Sequence, residues 1–234
     1  MGGILAMTRS LFAISALLAL GACSSSGTSP VVDAIKEVIL PSKPEAPTVT
    51  SGGSTLTRER IEQYGLALIR ARIEGEEVSN ILTGTALNGR YVTYISSYRQ
   101  NITMLGTLVT GTRGLGGDLL AVRNDLNDPV ATLTPAADWP STLTRDYRFP
   151  GVGPAGKTIS VNCRLMPSPE TTIAIVEVIY NVTPFTEVCA GDGTQFTNTY
   201  HVETDTGQIW RTHQWVGAQR GYLNIEVLEP LTID

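Results

Sequence analysis

Several groups of residues in this 234-residue chain have the types and spacing that chemistry requires. Cys163 and Cys189 are a thiol pair. In an oxidising compartment such a pair forms a disulfide; the alternative is two buried free thiols. Residues 151–158 read G-x-x-x-x-G-K-T, the pattern in which backbone N–H groups cradle phosphates and a helix begins at the Lys. An acidic IAIVE stretch at 173–177 follows, imitating a metal-holding strand. Yet the segment after Thr158, ISVNCRL, is β-branched and strand-like where a helix N-terminus is needed. Met166-Pro167-Ser168-Pro169 also forbids a crossover helix. The motif reads as a Gly/Pro hairpin loop, and no nucleotide is expected. His201 and His213 are the only imidazoles, too few at too loose a spacing to predict a metal. The 22 acidic residues offer many carboxylate pairs of the kind a glycosidase uses, but none stands out, and no G-x-S-x-G elbow occurs. Trp210, His213, Trp215 and Tyr222 cluster near the end of the chain. Their faces suit stacking on sugar rings, and suit filling a core equally well. Trp210 and Trp215 fall on opposite sides of a regular strand, so one is expected in the core and the other exposed.

The third thiol, Cys23, has a different setting. Arg9 supplies a positive flank, residues 11–20 (LFAISALLAL) are apolar, and Gly21 and Ala22 precede the Cys. Such a run is too short to span a bilayer, which takes about 20 residues. Leu20-Gly21-Ala22-Cys23 resembles a bacterial lipobox. In signals of that kind the Cys sulfur receives a diacylglycerol, the peptide is cut before it, and the new amine is acylated. The alternative is an ordinary secretory signal with a chance Cys. Ser24, rather than Asp, after the Cys resembles an outer-membrane address. Met7-Thr8-Arg9 makes a more usual signal start than Met1.

The elements that must position these residues are mostly strands. Apolar residues make up 42% and charged residues 17%, a balance that supports a packed core. The net charge is −5 and only three cations are Lys (Lys36, Lys43, Lys157), which argues against a nucleic-acid surface. Thr occurs 29 times, favouring strands. Residues 1–22 read as a lipoprotein signal peptide. Residues 23–54 read as a lipidated tether, with a short helix at 31–40 and a Pro/Gly linker at 41–54. Residues 55–234 read as a single antiparallel β domain: a curved sheet, half-open barrel or sandwich. A short helix is expected at 57–64, stopped near Gly65. Residues 67–73 read as a strand, with a continuous helix to Ile73 as the rival reading. Strands at 78–87 and 91–97 flank the Asn88-Gly89 hairpin signal. Residues 101–112 read as a strand pair or one long bent strand, residues 113–119 as a Gly-rich corner, and residues 125–141 as mostly loop. Further strands are expected at 142–149, 157–165, 171–183, 185–190, 195–203, 208–216 and 222–228, with a turn at Asp205-Thr206-Gly207.

The final third runs Asn198-Thr-Tyr200-His-Val202-Glu203-Thr-Asp205-Thr206-Gly207-Gln208-Ile209, then Thr212-His-Gln214-Trp215-Val-Gly217 and Leu228-Glu-Pro230. It resembles the group 4 capsule and exopolysaccharide lipoprotein family (GfcB/YjbF type). There Thr212 replaces a usual Ser, His201 a common aromatic and Glu203 a common Asp. The middle is also similar, through Asn88-Gly89, Tyr91-Val-Thr-Tyr94, Gly106-x-Leu108-Val109, Thr112-x-Gly114-Leu115 and Asp118-Leu119. The linker and the Cys163/Cys189 pair depart from the pattern. The resemblance implies a mostly β, outer-membrane lipoprotein facing the periplasm, without enzymatic activity or cofactor. Its implied companions are a periplasmic β-grasp capsule protein and a large outer-membrane barrel protein. Polysaccharide itself is a further candidate partner. A carbohydrate- or lipid-binding carrier and a polysaccharide-modifying hydrolase are the competing readings. Among candidate positions, Cys23 anchors and Cys163–Cys189 stabilises. Arg113 and Asp118, beside flexible glycines, together with Trp210, Gln214 and Trp215, are candidates for a partner or ligand surface. Asn198, Gly207 and Gln214 are also expected to set turns and buried hydrogen bonds.

Overall fold

The computed structural model describes residues 56–153 and 156–232. The signal segment, Cys23, the expected 31–40 helix and the linker lie outside the described residues. The first element is α1 (Arg58–Tyr64). The Thr57 hydroxyl caps it by accepting from the Arg60 N–H at 3.3 Å, and Gly65 ends it at φ 57°. That left-handed stop decides between the two readings of the next segment, which is strand β1 (Leu68–Ile73).

Twelve further strands follow: β2 (Asn80–Asn88), β3 (Tyr91–Ile95), β4 (Asn101–Leu105), β5 (Leu108–Arg113) and β6 (Ala121–Asn124) in the first half. The second half holds β7 (Thr142–Phe149), β8 (Lys157–Pro167), β9 (Thr171–Ile175), β10 (Val178–Gly191), β11 (Thr194–Glu203), β12 (Ile209–Gly217) and β13 (Gly221–Glu229). They form one sheet in the order β5-β4-β3-β2-β1-β13-β12-β11-β10-β8-β7-β6, with β9 beside β10. Neighbours are antiparallel throughout. The first strand pairs with the last, and the sheet curls until β5 and β6 nearly meet. At that seam the Thr112 N–H donates to the Leu119 carbonyl at 2.9 Å. The result is a nearly closed antiparallel barrel-like sheet, within the expected mostly β class.

Alternation drives the closure. On β8, Ile159, Val161, Cys163 and Leu165 are buried while their neighbours are exposed, the period-two pattern of a sheet with one wet face. The same pattern on β7 buries Leu143, Arg145 and Tyr147. Curling brings these inner faces together.

Three boundaries differ from the sequence reading. Residues 171–183 are not one strand, because Val176 and Glu177 adopt φ 42° and 68° and turn the chain between β9 and β10. Neither residue is a usual left-handed one, so the turn had no local signal. No break separates 183 from 185: Pro184 lies inside β10. It sits where β10 changes partner, between the β9 pairing ending at Val182 and the β8 pairing starting at Phe185. On that side its missing N–H breaks no ladder bond. The expected loop 125–141 contains a short helix, α2 (Pro129–Thr132), capped by Asp128, and a single 3-10 turn at Ala136–Asp138. The α2 segment packs against the β4–β5 turn, where Gly106 has φ 55°. A Cβ there would lie 2.7 Å from the Val130 carbonyl oxygen, so only glycine fits.

Candidate functional site

The interior carries the strongest electrostatics. Arg145 points inward from β7, and its guanidinium binds Asp128 through Nε (2.7 Å) and Nη2 (2.9 Å). Its Nη1 donates to Glu187 Oε2 at 2.8 Å. All three side chains have no solvent exposure. Glu187 Oε2 also accepts from Asn198 Nδ2 (2.7 Å) and the Tyr200 hydroxyl (2.8 Å). Asn198 Oδ1 in turn accepts from the Trp215 N–H at 2.7 Å. Glu187 Oε1 lies 2.8 Å from Arg145 Nη1 but off the N–H direction, and has no hydrogen bond of its own among the described residues. One guanidinium thus ties together β7, β10, β11, β12 and α2. Burial works against its charge, but Glu187, Tyr200 and Asp128 outweigh that and hold it firmly protonated. Burial also pushes the Tyr147 hydroxyl up to about 12 and Tyr200 well above its usual value. Closed off from solvent and paired to Arg145, Asp128 and Glu187 are placed to hold the barrel together, not to attack a polymer.

Gln214, a candidate for a ligand surface, is instead buried (2% exposed). Its Oε1 accepts from the Val109 N–H at 3.1 Å, and its Nε2 donates to the Thr107 carbonyl (2.8 Å) and Thr212 Oγ1 (3.0 Å). The side chain from β12 thereby satisfies the free edge of β5, where a neighbouring strand would otherwise stand. Trp210 and Trp215 are both buried as well. Trp215 stacks on Phe196 at 4.3 Å and meets Tyr147 edge-on at 5.4 Å. Trp210 stacks on Tyr180 at 3.9 Å. The expectation that one of them is exposed does not hold, because the β10 residue Tyr180 covers the outer one. These three residues therefore present no surface, and the aromatic cluster fills space.

Arg113 and Asp118 do come together, at the seam. Asp118 organises the Gly-rich corner: Oδ1 accepts from the Leu115 N–H (3.0 Å) and the Thr112 hydroxyl (3.1 Å), and Oδ2 from the Gly114 N–H (3.0 Å). Arg220 donates to the Gly116 carbonyl at 3.0 Å and holds the corner against the β12–β13 turn. Arg113 is exposed. Its Nη1 bonds the carbonyls of Thr112 (2.6 Å) and Leu119 (3.1 Å) across the seam. Beside it, on the outer face of β3, β4 and β5, lies a groove of about 440 Å³. Its walls include Tyr91, Thr93, Asn101 and Thr103, with Leu120 and Ala121 on the far side of the seam. Sequence reasoning found Arg113 through its glycine neighbours. It missed the outward residues of β3 and β4, whose alternation reads only as a wet strand face.

Cys163 and Cys189 are bonded to each other across the β8–β10 ladder, where they are registered partners. Glu187 lies beside them, but a disulfide offers no thiolate to a metal. The bond spans a sequence separation of 26, for which chain entropy gives about 3–4 kcal/mol of stabilisation. The double variant Cys163→Ala/Cys189→Ala is expected to lose about 3 kcal/mol, measured as the drop in urea-unfolding free energy. A midpoint unchanged from the parent contradicts this. The G-x-x-x-x-G-K-T segment is the β7–β8 connection: Lys157 and Thr158 open β8, with a strand where a phosphate loop needs a helix. His213 stacks on Tyr222 and lies 3.2 Å from Glu74 Oε1, whereas His201 pairs with Arg211 in register. The two imidazoles do not converge.

A family model described as group 4 capsule polysaccharide lipoprotein gfcB, YjbF matches residues 34–228. The fold is similar to the crystal structure of the hypothetical lipoprotein YmcC from Escherichia coli (K12), with a TM-score of 0.67 and 16% sequence identity. That likeness covers 89% of this chain and 100% of the other. No curated protein matches the sequence.

Proposed function

Because the chain belongs to the group 4 capsule polysaccharide lipoprotein family, we propose that it is a non-enzymatic accessory factor in capsule or exopolysaccharide production or export. It is held by acyl chains on Cys23 at the periplasmic face of the outer membrane. The family match over most of the chain carries this reading. The lipobox-like Leu20-Gly21-Ala22-Cys23 supports the anchor, since two or more acyl chains hold a protein on a bilayer where one is marginal. The Arg145 cluster supports an accessory role, because its carboxylates are occupied and closed to solvent. Its companions in this reading are the other secretion proteins of the same machinery, a periplasmic β-grasp protein and an outer-membrane barrel, with the Arg113–Asp118 corner as the partner-facing element.

The second reading, a carbohydrate-binding carrier, is favoured by one observation: the polar groove beside Arg113. A lipid carried inside the barrel is less well supported, because Tyr147, Phe196 and Trp215 fill that part of the interior.

Deleting the gene is expected to abolish or strongly reduce surface polysaccharide, assayed as uronic acid or total hexose in washed cell-surface extracts. Restoration by the parent gene on a plasmid completes the result. Polymer of unchanged amount and chain length after deletion rejects the accessory role.

A further inference from the structure

The groove on the outer face of β3, β4 and β5 is rich in hydroxyl and amide side chains. Tyr91, Thr93, Asn101, Thr103, Thr110 and Arg113 line it, and no carboxylate does. This is notable in a chain with 22 acidic residues and a net charge of −5. The ladders explain the grouping. Tyr91, Thr93, Asn101 and Thr103 alternate with the buried Val92, Tyr94, Ile102 and Met104, and the registered pairs Thr93↔Thr103 and Thr103↔Gly111 set them side by side. Gly111 leaves the floor open at the seam.

The polar groups are partly engaged and partly free. The Thr93 and Thr103 hydroxyls lie 3.2 Å apart, and Thr110 Oγ1 donates to the Thr103 carbonyl at 3.1 Å. Each hydroxyl keeps further hydrogen-bonding capacity. The Asn101 amide and the Tyr91 hydroxyl have no partner among the described residues, and Tyr91 is 38% exposed. Arg113 forms no ion pair among the described residues and uses only one nitrogen on the carbonyls of Thr112 and Leu119. Arg148, exposed on β7, is registered opposite the groove residue Ala121 and likewise forms no ion pair there. Two guanidinium groups without carboxylate partners thus flank an acid-free trough carrying hydroxyls, an amide and a half-exposed aromatic ring.

We propose that this groove binds a segment of acidic polysaccharide, with sugar carboxylates held by Arg113 and Arg148. Sugar hydroxyls meet the Thr and Asn101 side chains, and Tyr91 lies along the apolar face of one ring. Guanidinium pairs well with carboxylate, and a sugar ring offers many hydroxyls with one flat apolar side. A peptide or a lipid would not use the same set: the trough offers neither a free strand edge beyond the seam contacts nor a broad apolar wall. This inference rests on the functional reading above and names its polymer class.

The test titrates the full chain, purified in detergent, with oligogalacturonate by calorimetry. Dextran of equal length and poly-glutamate serve as comparisons. Oligogalacturonate is expected to bind at least about tenfold more tightly than either and to weaken markedly in high salt. Arg113→Gln and Tyr91→Ala are each expected to weaken it about tenfold. Arg113 also bonds the seam carbonyls, so Arg148→Gln is the safer variant: its side chain makes no hydrogen bond in the described structure, and a several-fold loss is expected with unfolding unchanged. Equal binding of dextran, equal binding of poly-glutamate, or indifference to both Tyr91→Ala and Arg148→Gln overturns the inference. If oligogalacturonate does not bind while gene deletion still strips the surface polymer, the groove inference fails and the accessory role stands. If deletion leaves the polymer unchanged, the accessory role fails whatever the groove binds.

Discussion

Arg145→Met is expected to lower the unfolding free energy by about 3–5 kcal/mol, a large part of the 5–15 kcal/mol typical of a domain. The replacement is similar in length and apolar, so packing changes little. What changes is charge: Asp128 and Glu187, both without solvent exposure, lose the guanidinium between them. A buried carboxylate without a partner is strongly disfavoured. The damage spreads because Asp128 also caps α2 through the Val130 N–H at 3.1 Å, and α2 supports the β4–β5 turn and the edge of β5. Urea unfolding followed by Trp fluorescence reads the loss, since Trp215 hangs on Asn198 within the same network. A triple variant that also carries Asp128→Asn and Glu187→Gln is expected to recover part of the stability, because it removes the orphaned charges. A single variant within about 1 kcal/mol of the parent contradicts the assignment of Arg145 as the tie between both halves of the sheet.

Cys23→Ser is expected to remove the chain from the outer membrane. With the sulfur gone, neither the diacylglycerol nor the later amine acylation has a site, and each buried methylene contributes about 0.8 kcal/mol to anchoring. Among the described residues, no helix is long and apolar enough to cross a membrane in its stead. Density-gradient fractionation is expected to find the parent in outer-membrane fractions and the variant absent from them. Mass spectrometry of the parent is expected to show acyl chains on a polypeptide beginning at Cys23. A parent chain that carries no acyl mass, or a variant that still fractionates with the outer membrane, ends the anchoring proposal. The surface-polymer assay of the same strain then separates location from activity: polymer lost along with the anchor means the factor works only at the membrane.

Much of the fold was legible because strands write their burial into alternate residues. Residues 157–165 read as a strand and Asn88-Gly89 as a hairpin turn from the sequence alone. Where the signal failed, the cause was specific. Val176 and Glu177 turn the chain without a turn residue, held by the pairing of β9 on β10. Pro184 looked like a strand break, yet it stays in register with His201 of β11, and its missing N–H faces the gap where β10 passes from β9 to β8. Helix α2 fell in the stretch 125–141, read mostly as loop, and is held from afar by Arg145 on Asp128 and by the Thr107 N–H on the Val130 carbonyl. Strand β6, between the Gly-rich corner and that loop, had no reading of its own and is held by β7.

Covalent and local information belonged to the sequence: the sulfur at Cys23 in its lipobox-like setting, the β class, most hairpins and the family resemblance all follow from residues near one another along the chain. The bond between Cys163 and Cys189, expected from the sequence over two free thiols, is set in place by the β8–β10 register. Tertiary structure alone decided which polar residues are structural. Arg145 meets Glu187 across 42 positions and Gln214 meets Val109 across 105, and no local pattern encodes such partners. The same curling of the sheet buried Gln214 and Trp215 and left Arg113 outside, while Tyr180 of β10 covered Trp210 on the outer face. Closure of a sheet is a long-range event: it converts residues identical in local appearance into mortar on one face and contact surface on the other.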